Sequence, residues 1–343
     1  MAAKIIEVSD DDGVTWFALP GSEGEFTREG SQVDDTIFGQ TFRSNDRGLI
    51  TWAINANAVY KGYVGYKASL KKQGTATAFT GAAMTLVSGK RYKITDAAKN
   101  LWNRAVAVTV YDGVTNVTAQ VQAINYLFGE VLFKSSYTVV GSVTVDGSYF
   151  PLAVLGKANN YSLTQTADAI ETGYFDQVQT NGGYQTHDPG LRTVSLELTG
   201  IFDPASNISA ALLAGSEIVA EINPDGASKS RARGFFKVIT SGQSGEVGAL
   251  EEETFTLSLN VPEGAEIPFK WDHASDSPLP VAVRKMLDAW IAETKLDVRY
   301  RGDGVNGYKG NVVVTDMSLE GGMDSMNMFS VALTGDGGLT AVP

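Results

Sequence analysis

Gly234-Phe235-Phe236-Lys237-Val238-Ile239-Thr240, followed after a glycine-marked break by Thr254-Phe255-Thr256-Leu257-Ser258-Leu259, is echoed by Gly310-Asn311-Val312-Val313-Val314-Thr315 and Phe329-Ser330-Val331-Ala332-Leu333. Each copy opens on glycine, breaks at glycine and resumes with apolar residues at every second position, the spacing of a strand with one buried face. Two copies of one β pattern in a chain point to assembly before they point to catalysis. Upstream, residues 26–56 have a counterpart in 163–198. Leu163 and Thr164 stand where Phe26 and Thr27 do, and Val194, Leu196 and Leu198 where Trp52, Ile54 and Ala56 do. A slip of one residue would exchange the buried and exposed faces, so the retained register counts for more than the low identity.

Helix signals precede both downstream copies. Asp203-Pro204-Ala205-Ser206 supplies an N-cap and an early proline for a short helix ended by Gly215. Residues 281–293 set Val283, Met286, Leu287, Trp290 and Ile291 on one helical face. Strands at 218–222 and 296–300 follow these helices. Residues 74–153 differ in character: a low-information opening at 74–77, short strands at 91–95, 106–111, 117–123, 129–133 and 143–145, tight turns at Asp112-Gly113 and Asp146-Gly147, and a helical stretch at 96–103.

The order is therefore front half, insert, front half, back half, back half. It predicts nesting, with 1–73 as the front half of unit 1, 74–153 as a small inserted β domain, 154–262 as unit 2 and 281–343 as the back half of unit 1. A second arrangement stays open, in which 74–153 supplies the first back half, since 96–111 also reads as helix then strand. Residues 262–280, rich in Pro, Ser and Asp, read as a linker. Two long polar arms, 31–48 and 176–190, interrupt the front halves. Ile37, Phe38 and Phe42 on the first, with Tyr174 and Phe175 at the root of the second, are unusual in solvated loops and suit a partner surface.

Composition narrows the class. Gly numbers 37 against 10 Pro, and β-branched and aromatic residues are plentiful, which predicts a mainly β chain with a few short helices. The absence of cysteine removes disulfides, thiol nucleophiles and thiolate metal sites. Met1 to Glu7 runs into the acids Asp10 to Asp12 too early for a secretory apolar core, and no stretch reaches a membrane-spanning length, so synthesis in a cytoplasm is expected. A net charge of -12 disfavours a sequence-reading nucleic-acid binder. It suits either ordinary solubility or a surface that DNA must pass without sticking.

Chemistry has few places to sit. The two histidines, His187 and His273, each read as lying in a polar loop, without a nucleophile motif. Glu251-Glu252-Glu253 reads as a solvated bulge or loop, because neighbours on a strand point to opposite faces. Gly335-Asp336-Gly337-Gly338 precedes no helix, so it reads as a flexible tail and not as a phosphate loop. Lys229, Arg231 and Arg233 form a compact basic cluster that suits an acidic neighbour at least as well as a phosphate. No catalytic residue, metal or cofactor is expected.

Pro189-Gly190-Leu191-Arg192, Leu212-Leu213-Ala214-Gly215, Ala232-Arg233-Gly234-Phe235-Phe236 and Ala249-Leu250-Glu251-Glu252-Glu253-Thr254-Phe255 resemble segments of the tail tube (major tail) proteins of long-tailed, non-contractile bacteriophages. So do Val110-Tyr111-Asp112-Gly113 and the segment from Tyr126 to Phe133. The resemblance implies a β-sandwich flanked by a helix, with sheets of neighbouring subunits joined into an inner β-barrel; most such proteins have one tube unit per chain and form six-membered rings, whereas the repeats read above duplicate the unit in this chain. It implies rings stacked beneath a capsid, a lumen through which DNA leaves without specific binding, and tape measure and tail terminator proteins as further partners. It places the protein in a virion, without a membrane, after synthesis in a bacterial host. Two units per chain predict a trimeric ring with pseudo-sixfold symmetry, and the arms carrying Ile37, Phe38, Phe42, Tyr174 and Phe175 are expected to contact the adjacent ring. A capsid or tail decoration or adhesin module, and a carbohydrate-binding β protein, are the competing readings.

Overall fold

A computed structural model of the chain describes residues 4–34, 45–59, 69–154, 158–172, 184–201, 213–224, 229–246, 251–261, 267–322 and 325–342. The chain is mainly β. Its strands are β1 (Ile5–Ser9), β2 (Phe17–Ala18), β3 (Gly21–Asp34), β4 (Asn45–Val59), β5 (Ser69–Gln73), β6 (Thr77–Ser88), β7 (Arg91–Ile94), β8 (Thr109–Asp112), β9 (Thr115–Asn116), β10 (Val121–Asn125) and β11 (Glu130–Phe133). They continue as β12 (Val143–Tyr149), β13 (Leu152–Val154), β14 (Ala158–Glu171), β15 (His187–Ile201), β16 (Glu217–Asn223), β17 (Ser230–Ser244), β18 (Glu252–Leu259), β19 (Phe269–His273), β20 (Leu296–Arg301), β21 (Gly307–Gly322) and β22 (Ser325–Val342). An α-helix spans Val281–Ala292, and Leu213 and Ala214 end another helical segment.

Strands β6 to β12 form a seven-stranded sheet of their own, and the other fifteen form a single sheet that curls into a half-barrel. Within the larger sheet eight strands run side by side in the order β3, β4, β22, β21, β14, β15, β18, β17. The sequence echo is written into the ladder. Phe26 faces Ile54 and Leu163 faces Leu196, while Ile54 faces Leu333 and Leu196 faces Leu257. Val314 faces Leu333 and Val238 faces Leu257, and a bulge follows at the same place in both, between Val314 and Asp316 and between Val238 and Thr240. Bulges shift the side-chain alternation by one, so a bulge kept at an equivalent position keeps both faces in phase.

Alternation fills the core. Trp52, Ile54, Leu163, Val194, Leu196, Leu257, Leu319, Val331 and Leu333 are buried on one face of the eight strands. Behind them the helix presents Ala282, Val283, Met286, Leu287 and Trp290 to the same core, as its apolar spacing predicts. That helix closes with Glu293 in the left-handed region at φ 57°, and its carbonyls are met by Arg192, whose guanidinium donates to the Trp290 and Ile291 oxygens. Gly215 repeats the turn in the other copy at φ 59°, where glycine adopts it without strain.

Some sequence expectations are corrected. Residues 96–103 hold only a 3-10 turn, Ala97–Lys99, capped by Asp96, because Leu101 and Trp102 leave the helical path to enter the core. Asp146-Gly147 is no turn: both lie within β12 at a bulge, where the Asp146 carboxylate accepts the Gly81 amide. Residues 77–88, read as nothing in particular, form β6, and the supposed linker 262–280 contains β19 with Trp271 buried at its centre.

Residues 335–338 are not a flexible tail but the middle of β22. Gly335 is pressed against the Trp52 indole, whose Nε1 donates to the Gly337 carbonyl at 2.9 Å. Asp336 accepts the His187 amide and pairs with Lys295. Sequence alone reads glycine as freedom; here it makes room for a ring.

Candidate assembly surface

The five residues expected to make contacts between rings, Ile37, Phe38, Phe42, Tyr174 and Phe175, lie outside the described residues. Their flanks are described. The first arm leaves from β3 at Asp34 and returns into β4 at Asn45. The second is tied at its root, where the Thr172 amide donates to the Thr186 carbonyl and the Gln185 amide to the Ile50 carbonyl. A bridge between Ile50 and Tyr184 fixes that root to β4.

His273 comes closest to catalytic geometry. Its Nδ1 lies 2.9 Å from the Ser230 hydroxyl and its Nε2 3.8 Å from Asp288 Oδ1. A Ser-His-Asp constellation needs an exposed nucleophile and an imidazole that gains a proton in turnover. Ser230 is buried, and burial together with the neighbouring Arg284 charge brings the His273 pKa down to about 4. The ring instead stacks on Trp271, with centroids 5.5 Å apart, as part of the packing. His187 is likewise committed, its Nδ1 lying 2.7 Å from the Gly335 carbonyl oxygen.

The acidic run is solvated only in part: Glu251 lies outside the strands, and Glu251 and Glu252 are exposed. Glu252 and Glu253 begin β18, with Glu253 buried. Among the described residues, no group of three His, Cys, Asp or Glu side chains could hold a metal, and no helix is long and apolar enough to cross a membrane.

The basic cluster finds acids, as its composition allows. Lys229 pairs with Asp276, Arg231 with Asp272, and the fully buried Arg233 with Glu221. Arg233 also donates to Asn100 Oδ1 and to the Leu127 carbonyl of the seven-stranded body, with its guanidinium 4.8 Å above the Phe128 ring. Arg104 to Glu217, Lys93 to Asp272 and Lys270 to Glu130 add ion pairs across the same junction. Leu101, Leu127 and Phe128 meet Val219 and Phe235 there in a separate apolar cluster. The cluster is a clamp between two bodies.

A surface that the sequence reading did not isolate lies on the other face of the eight strands. Glu25, Glu29, Asn55 and Asn57 point away from the core on β3 and β4, as do Thr193, Ser195, Glu197 and Thr199 on β15 and Thr254, Thr256 and Ser258 on β18. Asp316, Ser318 and Glu320 continue it on β21, opposite Thr166, Thr164 and Ser162. The face is hydroxylated and acidic. Lys237, opposite Ser258, and Lys4, whose ammonium meets the Gly24 carbonyl, lie at its borders. The signal was present as Thr, Ser and Glu alternating with Val and Leu, but composition cannot say that eight such strands share one sheet.

That sheet ends in two edges. β3 pairs with β4 on one side and with no strand on the other among the described residues, and the stretch of β17 beyond its bulge pairs only with β18. Residues 239–246 are all exposed. Leu213, at the end of the other helical segment, is 90% exposed.

No protein-family model matches the chain, and no curated protein matches it. Among solved structures, the tail of an empty gene transfer agent (GTA) particle, computed with helical refinement in C6 symmetry, is similar at 11% identity and a TM-score of 0.29, over 33% of this chain and 84% of that one. The virion of a native gene transfer agent particle is similar at 11% identity and a TM-score of 0.28, over 32% and 85%. Overlaps this loose do not establish a common fold.

Proposed function

We propose that this chain is a structural subunit that polymerises through its sheet edges into stacked rings, forming a phage-type tail tube through which a genome leaves. The observation that carries the reading is the eight-stranded sheet itself: two equivalent four-stranded halves joined inside one chain, curled, and open at both ends. Edge strands left unpaired are templates for another chain, and contacts between unlike edges close into rings when the rotation permits. Two halves per chain make the ring a trimer with pseudo-sixfold symmetry. The pairing of β4 with β22 supports the nested arrangement, in which 1–73 and 281–343 share one unit around 154–262.

The polar face then lines the lumen. Hydroxyls and carboxylates without a basic stripe offer a polyanion little to adhere to, so DNA slides past without specific binding. The tape measure and terminator proteins are the further partners of such a tube. Cryo-electron microscopy of the purified protein tests the reading. Hollow tubes whose averaged cross-section contains three chains support it; monodisperse monomers at high concentration, or six whole chains per ring, count against the self-assembly and the trimer respectively.

A further inference from the structure

We infer that a second copy of this chain docks β3 against the end of β17 in one defined register, the register of the chain's own internal junction. The inference rests on the self-assembling reading above and sharpens it to named residue pairs.

Inside the chain the two halves meet where β14 pairs with β21, Thr166 facing Asp316, Thr164 facing Ser318, Leu163 facing Leu319 and Ser162 facing Glu320. The ladder equivalences carry β14 onto β3 and β21 onto β17, with Leu163 taking the place of Phe26 and Val314 that of Val238. The shared bulge keeps the count in step beyond it, so Asp316 takes the place of Thr240. Transferred to the free edges, the junction places Glu29 opposite Thr240, Thr27 opposite Gly242, Phe26 opposite Gln243 and Glu25 opposite Ser244.

A second observation points to the same docking. In the internal copy the helix ends with Ile291 packed against the core beside its left-handed Glu293. Leu213 stands at the same position before the left-handed Gly215, yet it is 90% exposed. Ile239, at the bulge of the open edge, is 55% exposed. Leu213 and Ile239 leave apolar surface uncovered beside the open edge, and the occupant that fits it is the half-sheet of another copy. The junction differs from the internal one at the core: Phe26 of β3 replaces Leu163 of β14, and Gln243 of β17 replaces Leu319 of β21. The junction between copies is therefore the more polar of the two.

The chain has no cysteine, so engineered pairs report unambiguously. Directly opposed residues in an antiparallel pair lie roughly 4.5–5.5 Å apart, within disulfide range, whereas a two-residue slip sets them about 7–8 Å apart. Full-length Glu25→Cys/Ser244→Cys, assembled and then oxidised, is expected to migrate without reductant as covalent dimers and trimers, and Thr27→Cys/Ser244→Cys as monomer. Tubes with efficient cross-linking of the second pair and not the first would overturn the register while leaving self-assembly standing. Tubes in which neither pair links would overturn edge docking at these strands. Monomers by microscopy in both variants and in wild type, with no cross-link in either variant, would remove the self-assembling reading and the inference with it.

Discussion

Acid should loosen this fold through one imidazole. His273 sits beneath Trp271, with the Ser230 hydroxyl on one nitrogen and the Arg284 charge nearby, and its pKa falls from 6.5 to about 4, chiefly through burial. A histidine held neutral contributes stability that is complete above its unfolded pKa and is lost as the pH falls from 6.5 toward the folded value, because the unfolded chain takes up a proton that the folded one refuses. Linkage over that interval removes about 2 kcal/mol between pH 7.5 and pH 5, and about 3 kcal/mol by pH 4. Urea unfolding followed by tryptophan fluorescence at pH 7.5 and 5.0, on wild type and His273→Gln, isolates the effect, since glutamine does not titrate. The wild type is expected to lose about 2 kcal/mol more than the variant across that change. The chain has only two histidines, so labelled imidazole resonances can also follow His273 directly. Parallel losses in the two proteins, or a His273 midpoint near 6.5, would refute the reasoning.

Three other outcomes are expected. Gly335→Ala forces a methyl into the Trp52 ring, which neither backbone nor indole can leave easily; it should cost about 1–3 kcal/mol or more, read as a lowered thermal midpoint. Arg233→Met strands the buried Glu221 carboxylate and should cost about 3–5 kcal/mol in urea, while Arg233→Met with Glu221→Leu recovers most of the loss. Phe38→Ser with Phe175→Ser should shorten or abolish tubes by electron microscopy while leaving the circular dichroism of the monomer unchanged.

The parts of the fold that were legible in sequence are those where one face decides the residue. Trp52, Ile54 and Ala56 against Val194, Leu196 and Leu198 fixed a register that the ladder repeats, and Val283 to Trp290 announced a helix. What was hidden depended on distant partners. β6 is rich in Ala and Thr, is interrupted by Gly81, and carries little strand signal until β12 and β7 pair with it. β19 lies among Pro, Ser and Asp, and Trp271 belongs there only because Gln165, far away in the chain, accepts its indole hydrogen at 3.0 Å. The polar face was half legible: its alternation could be read strand by strand, but its continuity is a property of topology.

The seven-stranded body enters and leaves the larger sheet through strands that are neighbours. β5 and β13 pair with each other, and the Gly74 amide donates to the Pro151 carbonyl at 2.7 Å. A few residues of glycine could therefore bridge the two ends if everything between them were cut out, and a foreign domain with adjacent termini could be spliced in their place. The cost of such an exchange falls on the junction: the Arg233–Glu221 pair would lose its Phe128 roof, Val219 and Phe235 would lose their apolar partners, and Glu217, Asp272 and Lys270 would each lose an ion pair. The ladder of the eight strands does not run through the excised body, so their pairing would stand while β17 lost its side-chain contacts to it. For anyone wishing to display cargo on this scaffold, residues 74–151 are the socket.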